Sequence, residues 1–409
     1  MTPLALLIVA AIILSGIFEI YLSYRHAASV SANQEQVPEG FAGAISGEEH
    51  RRAAAYTLAR TRLSIAKTVF DTALTVVWLT LLLGPLYALV AQFIPPGMSR
   101  GVAVVVLFAL TERLLHLPFS IFSTFSLETR FGFNRATPAM FLLDRIKGLA
   151  LAIVLGVPLL YGFFLLLHVM PNYWWLAGWA GLMVLMIAMT VIYPAFIAPL
   201  FNKFAPLPQG QLKIRIEALL AKCGFESKGL YVMDASRRST HGNAYFTGFG
   251  KAKRIVFFDT LLQNHTPDEI LSILAHELGH YKLGHIGQRV AESAVLTLLG
   301  FAVLYWAFAS GVASQFGLPN DPGLVLILIL MALGPVMHLI SPLTSFLSRR
   351  AEYQADGFAK VMAGPEPMIS ALTRLSRDNL STLTPDRLYA LFYYSHPPVP
   401  ARIARLKAV

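Results

Sequence analysis

Residues 264–285 read NHTPDEILSILAHELGHYKLGH, and everything else in the chain is best read outward from them. Thr266 suits an N-cap, Pro267 the first helical position, and Asp268 and Glu269 the positive end of the helix dipole. The spacing predicts a helix carrying HELGH. Residues four apart share one helical face, so His276 and His280 can present their imidazoles to one ion. Glu277 follows the first imidazole and can reach a water on that ion without ligating it. Zinc lowers the pKa of a coordinated water to about 7, and an adjacent carboxylate can take its proton during attack on a peptide carbonyl.

A catalytic zinc wants a third protein ligand and an open fourth position. His285 lies too close for the spacing that puts a third histidine ten residues after the first, where this chain has Ile286. It is expected at the surface or behind a ligand. LSRRAEYQADGFA, residues 347–359, offers Glu352 and Asp356 four apart on one face. Glu352 would complete a His-His-Glu set. Asp356 would accept a hydrogen bond from a ligand imidazole and fix its orientation.

The surroundings divide sharply. QLKIRIEALLAKCGF (211–225) has helical periodicity, and GLYVMDAS (229–236), NAYFTGFG (243–250) and KRIVFFDTLL (253–262) read as short strands. This polar segment, 201–289, lies between long apolar runs. Crossing a hydrocarbon core takes about 20 apolar residues, and seven runs qualify: 4–22, 69–94, 101–122, 149–170, 174–200, 290–312 and 324–343. The first lacks a basic leader and continues into FEIYLSYR, so it is expected to be retained as a span. Composition agrees. The 409 residues are 56% hydrophobic and 14% charged, against about a quarter charged in ordinary globular domains, and the mean hydropathy is +0.58. Four regions follow: spans one to five over 1–200, the metal-binding segment 201–289, spans six and seven over 290–345, and a closing segment 346–409.

The net charge of +10 does not indicate nucleic-acid binding, because no compact Lys/Arg tract or RNA-binding motif accompanies it. The basic residues flank the spans. The 23–68 loop carries Arg25, Arg51, Arg52, Arg60, Arg62 and Lys67, and the 123–148 loop carries Arg130, Arg135, Arg145 and Lys147, whereas the alternate loops hold almost none. By the positive-inside rule the N-terminus is outside and both long polar segments are cytosolic. Tyr173, Trp174 and Trp175 then fit an outer interfacial belt. Glu19, Asp71, Glu112, Arg113, His168, Glu292 and His338 fall within or beside spans. Such groups are costly in lipid and suggest a polar interior between the helices. Cys223 is the only cysteine, which excludes an intramolecular disulfide.

HELGH with a distant ExxxD resembles the gluzincin metallopeptidases, and the chain as a whole is similar to the type I CAAX prenyl protease family, the seven-span membrane zinc proteases, here read as a bacterial member. The shared motifs run almost end to end: EIYLSYRH, ETRFGFNRATP, YPAFIAPLFNKFAPLP, NAYFTGFG, HELGHYKLGH, SRRAEYQAD and the terminal HPPVPARI. The resemblance implies a mainly α fold, a seven-transmembrane-helix barrel enclosing a polar chamber, with a cytosolic gluzincin-type α+β zinc protease domain. It implies one zinc per chain held by His276, His280 and Glu352, with Glu277 as base. Asp356 is a proton donor in some descriptions of the family; an aspartate bonded to a ligand imidazole should stay ionised, which favours the orienting role. Asn243 and the Ala244 backbone would bind a peptide added to an edge strand. His396 would hydrogen-bond the developing oxyanion, with Arg402 supporting it by charge. The implied partners are a peptide or protein substrate, prenylated in the family, and membrane lipid, in a bacterial inner membrane. Prenyl-peptide cleavage is the family's activity, and a bacterium offers no farnesylated CAAX protein.

Other readings fit less well. The heat-shock type of membrane metalloprotease is shorter, with about four spans. Site-two proteases bury HExxH in a hydrophobic span, whereas Lys282 and Arg289 flank it here. A transporter would show internal repeats and broken helices, and an inactive scaffold would be expected to lose Glu277 or a ligand.

Overall fold

The computed structural model describes residues 1–227, 229–247 and 254–408. Among the described residues, seven helices are long and apolar enough to cross a membrane: α1 Pro3–Ala32, α2 Gly47–Phe93, α3 Met98–Glu128, α4 Pro138–Val169, α5 Trp174–Phe201, α9 His285–Ser310 and α10 Pro322–Ala363. Each coincides with an expected apolar run, but most are longer. Hydropathy ends where lipid ends, whereas a helix continues while its backbone bonds and its next packing surface persist. Arg51 to Lys67, expected in a loop, lie on α2. Its start is fixed by a capping box in which Ser46 Oγ accepts from Glu49 N and Glu49 Oε2 accepts from Ser46 N. The expected boundary at 345/346 falls inside the unbroken α10, and that at 289/290 inside α9.

The most apolar windows of the spans are only 0–33% buried inside the molecule, as expected of a wall one helix thick with lipid on one side and an internal space on the other. At the end remote from HELGH, Trp78, Leu83, Val104, Trp174, Leu304, Leu324 and Leu328 pack into an apolar core. Gly101 and Gly323 let α3 and α10 touch within it, since a Cβ on Gly323 would lie 2.4 Å from Gly101 O. Toward the other end polar groups pair across helices: His116 Nε2 meets Asp71 Oδ1 at 2.7 Å, Trp78 Nε1 donates to Glu112, and His338 Nδ1 lies 3.4 Å from Glu19 Oε1.

The segment between α5 and α9 folds as a small α+β unit. It comprises β1 Phe204–Pro206, α6 Gln211–Lys222, β2 Gly229–Met233, β3 Ala244–Thr247, β4 Arg254–Phe258, α7 Asp259–Asn264 and α8 Pro267–Lys282. The sheet order is β1-β2-β4-β3, with β2 and β4 parallel and the outer pairs antiparallel. Three of these strands are anticipated by sequence, with β2 and β4 ending at Met233 and Phe258, before their expected limits at 236 and 262. Residues 259–262 are helical instead, and β1 was not expected. Residues 248–250 of NAYFTGFG and Lys253 lie outside the described residues. After α10 come α11 Pro365–Asp378, α12 Arg387–Tyr393 and α13 Val399–Lys407. A second core joins these late helices to the unit: Ile216, Phe257, Ile270, Leu274, Leu278, Ala359, Leu372 and Ile403 pack together. The C-terminal end of the chain is thereby held beside HELGH.

The unit is also fastened to the spans. Arg238 forms a two-pronged ion pair with Asp144 at the start of α4, at 2.9 and 3.0 Å, and its Nη1 donates to Asn202 Oδ1 at 3.0 Å. ETRFGFNR lies alongside the segment leading into β3, with Arg135 N donating to Arg238 O and Thr240 N to Phe133 O.

Candidate active site

Helix α8 begins as its sequence dictates. Thr266 Oγ1 accepts from Glu269 N, and Glu269 Oε2 accepts from Thr266 N at 2.8 Å. Glu269 is further held by Ser370 Oγ at 2.6 Å and Arg374 Nε at 3.1 Å, tying the helix start to α11. Three turns later α8 crosses α10 at very short range, because Gly279 has no side chain. A Cβ there would lie 3.1 Å from Ala355 Cα and 3.1 Å from Phe358 Cβ. That approach brings Glu352 to the two histidines.

His276 Nε2 and His280 Nε2 are 3.2 Å apart. Each lies 3.3 Å from a different oxygen of Glu352, and the three groups offer ligand atoms within 4.8 Å of one another. Glu352 is buried, and its Oε2 lacks a hydrogen-bond partner of good geometry. A buried carboxylate oxygen left without a donor is costly, and a cation between it and the imidazoles would satisfy all three. Two nitrogens and one carboxylate oxygen suit zinc with one coordination position left open.

The outer nitrogens determine which ring atoms remain free. Asp356 Oδ1 lies 2.9 Å from His276 Nδ1, so His276 donates there and turns the Nε2 lone pair inward. Asp356 is itself gripped by Arg402, whose Nη2 and Nε donate at 2.6 and 2.8 Å. On the other side His280 Nδ1 meets His285 Nδ1 at 3.0 Å, and His285 Nε2 meets Gln354 Oε1 at 2.8 Å. One proton arrangement satisfies this chain: His285 Nε2–H donates to Gln354, and His280 Nδ1–H donates to His285. It leaves His280 Nε2 free to ligate. His285 is therefore fully buried behind His280. Gln354 was not singled out by sequence reasoning; its only signal is a position two residues after Glu352.

Glu277, partly exposed, makes no hydrogen bond to any described residue. Burial pushes its carboxyl above the usual carboxylate range, and the adjacent imidazoles pull it back. For His276 the loss of solvent lowers the pKa, but hydrogen bonds to Asp356 and Glu352 outweigh it and the net direction is upward. His396 follows α12. Its Nε2 lies 3.3 Å from Glu352 Oε1, and its side chain, 63% exposed, faces a cavity of about 700 Å³ also bounded by His26, Tyr56, Arg60 and Tyr394. Desolvation there lowers its pKa. Arg402 is 7% exposed and paired with Asp356 behind His276, and its charge acts on His396 from there.

Among the described residues β3 is the outermost strand of the sheet, so Asn243 and Ala244 stand at its edge. Asn243 O accepts from Phe258 N at 2.9 Å, so the main-chain groups of Ala244 and Phe246 point away from β4 by alternation. Ala244 N is occupied by Asn243 Oδ1 at 2.8 Å. The strand packs on α8.

This architecture is shared with known proteins. A family profile described as CAAX prenyl protease N-terminal, five membrane helices, matches residues 26–203, and that of peptidase family M48 matches residues 206–409. The CAAX prenyl protease 1 homolog of Oryza sativa is 36% identical over 97% of this chain and 95% of its own length. CAAX prenyl protease 1 of Saccharomyces cerevisiae is 34% identical over 96% and 92%. The crystal structure of S. mikatae Ste24p superposes with a TM-score of 0.93 at 32% identity, covering 100% of both chains. The chain is thus a multi-span integral membrane zinc metalloprotease, and with its spans and its metallopeptidase unit both matched, it belongs to the CAAX prenyl protease 1 family.

Proposed function

We propose that the chain is an endopeptidase that cuts near the C-terminus of membrane-associated proteins of the CAAX type, prenylated substrates included, with one zinc per chain held by His276, His280 and Glu352. The names of its relatives supply the substrate class. The convergence of two imidazoles and a carboxylate beside an uncommitted Glu277 carries the reading. When bound, zinc supplies a Lewis acid for the scissile carbonyl and acidifies a water.

The chain's own groups do the rest. A peptide joins β3 as a further antiparallel strand, using the outward main-chain groups of Ala244 and Phe246, with the Asn243 amide free to swing from Ala244 N to the incoming main chain. Glu277 takes a proton from the attacking water as the C–O bond forms. It returns that proton to the amine as the C–N bond breaks. His396 donates to the oxygen on which charge develops. Asp356, backed by Arg402, and His285, backed by Gln354, hold the ligand imidazoles in one orientation.

The asymmetry of basic loops supports a cytosolic active site and an outer N-terminus. Cleavage of a farnesylated and an unprenylated peptide by Glu277→Gln, with zinc measured on the same sample, tests the reading. The variant should keep about one zinc per chain and lose turnover by about 10²–10⁴-fold. Full activity would remove Glu277 from the mechanism.

A further inference from the structure

Helix α2 has two different faces near its cytosolic start. Thr57, Arg60, Thr61 and Ser64 line the cavity that also contains His396. Ala59, Arg62, Leu63 and Ala66 line a separate groove of about 540 Å³, whose opposite wall is Phe119, Phe122 and Arg130 of α3 and the loop after it. At 100° per residue the two sets of α2 side chains point in nearly opposite directions. The groove therefore opens on the outer wall of the barrel, toward lipid, and not on the chamber.

Its polarity is graded. Arg62 precedes Ala66 by one turn as α2 enters the membrane, and Arg130 follows Phe119 and Phe122 by two to three turns as α3 leaves it. Both guanidiniums thus sit at the catalytic-domain end, with the apolar floor at the membrane end. Among the described residues no carboxylate lines the groove. Neither Arg62 nor Arg130 takes part in an ion pair among the described residues; Arg130 rests 5.6 Å above the Phe131 ring. Unpaired cations at a lipid-facing surface call for an anion, and an apolar cleft beneath them calls for a chain.

We propose that this groove is a binding site for an anionic phospholipid of the adjoining leaflet, its phosphate between Arg62 and Arg130 and one acyl chain along Leu63, Ala66, Phe119 and Phe122. Charge complementarity selects this occupant, since each basic side chain near a membrane surface strengthens anionic-lipid attraction several-fold. The site is independent of peptide cleavage, being on the far face of α2 from His396.

Native mass spectrometry of the purified full chain in detergent, with phosphatidylglycerol or phosphatidylcholine at equal concentration, tests it. Wild type should retain phosphatidylglycerol at least about tenfold better. The Arg62→Gln/Arg130→Gln variant should bring the two lipids within about threefold. Ala59→Leu/Ala66→Leu, which fills the groove and keeps both charges, should lose the bound lipid, so the proposal does not hang on one variant folding. Equal retention of both lipids by wild type, or a preference that survives both variants, would overturn it. Displacement by inorganic phosphate alone would reduce the site to an anion contact and overturn the lipid assignment. Displacement by a farnesylated peptide would transfer the groove to substrate and likewise overturn it.

Discussion

Gly279, the fourth residue of HELGH, sets how closely α8 and α10 cross, and Gly279→Ala should weaken zinc binding without touching a ligand. A Cβ at this position would meet Ala355 Cα and Phe358 Cβ at 3.1 Å and Ala355 O at 3.3 Å. Two of these are main-chain atoms, so no side chain can swing aside, and the helices must part by a few tenths of an ångström. Overpacking of this kind costs about 1–3 kcal/mol, while alanine gains about 1 kcal/mol of helix propensity over glycine. The two effects nearly offset, so stability is a poor readout. The metal is not so tolerant. Ligand distances must hold within about 0.2 Å, and His276 and His280 ride on α8 while Glu352 rides on α10. Zinc affinity should fall about tenfold or more, measured by competition with a chromophoric chelator at fixed pH. Gly357→Ala is the control: it lies on α10 with nothing within 4 Å of its added carbon and should leave affinity unchanged. Wild-type affinity in Gly279→Ala would mean that the close crossing does not align the ligands.

Three further outcomes follow from buried groups. Arg402→Met leaves Asp356 in the interior without its cation and should cost about 3–5 kcal/mol, read as a lower Tm; the double change Asp356→Leu/Arg402→Met should recover most of that stability but not zinc affinity, and an unaltered Tm in the single variant would contradict the pairing. His285→Phe removes the acceptor of His280 Nδ1–H and should weaken zinc binding about 10–100-fold; no change would take His285 out of the site. His265 is buried between α7 and α8, and burial lowers its pKa from 6.5 against a partial pull from Glu269 and Asp378. Because the unfolded chain takes up a proton there first, stability should decline as pH falls below about 6.5, and His265→Phe should flatten the decline in Tm between pH 7 and 5. An identical slope in the variant would refute the assignment.

What could be read from the sequence was whatever rests on local pattern. Seven apolar runs became seven span helices, and Thr266-Pro267-Asp268-Glu269 became the capped start of α8 because capping chemistry needs only four consecutive residues. The span ends were not legible. Ser46 and Glu49 start α2 about 20 residues ahead of the expected apolar run, and SRRAEYQAD continues α10 beyond lipid because Ala351, Ala355 and Ala359 give it a further surface to pack against. β1 escaped notice since three residues ending in a proline carry no alternation. The DTLL stretch, apolar like a strand, turns helical where Asp259 bonds backwards to Ser236 N at 2.9 Å. The partners behind the ligands were hardest. Arg402 meets Asp356 across 46 residues and Gln354 meets His285 across 69, and no periodicity records such pairings.

Anomalous diffraction at the zinc edge from crystals of the zinc-loaded protein would test the metal centre most directly. One peak should lie about 2.0–2.2 Å from His276 Nε2, His280 Nε2 and a Glu352 oxygen together, with Glu277 outside bonding distance. A peak elsewhere, or one that Glu352 does not reach, would contradict the site proposed for this protein.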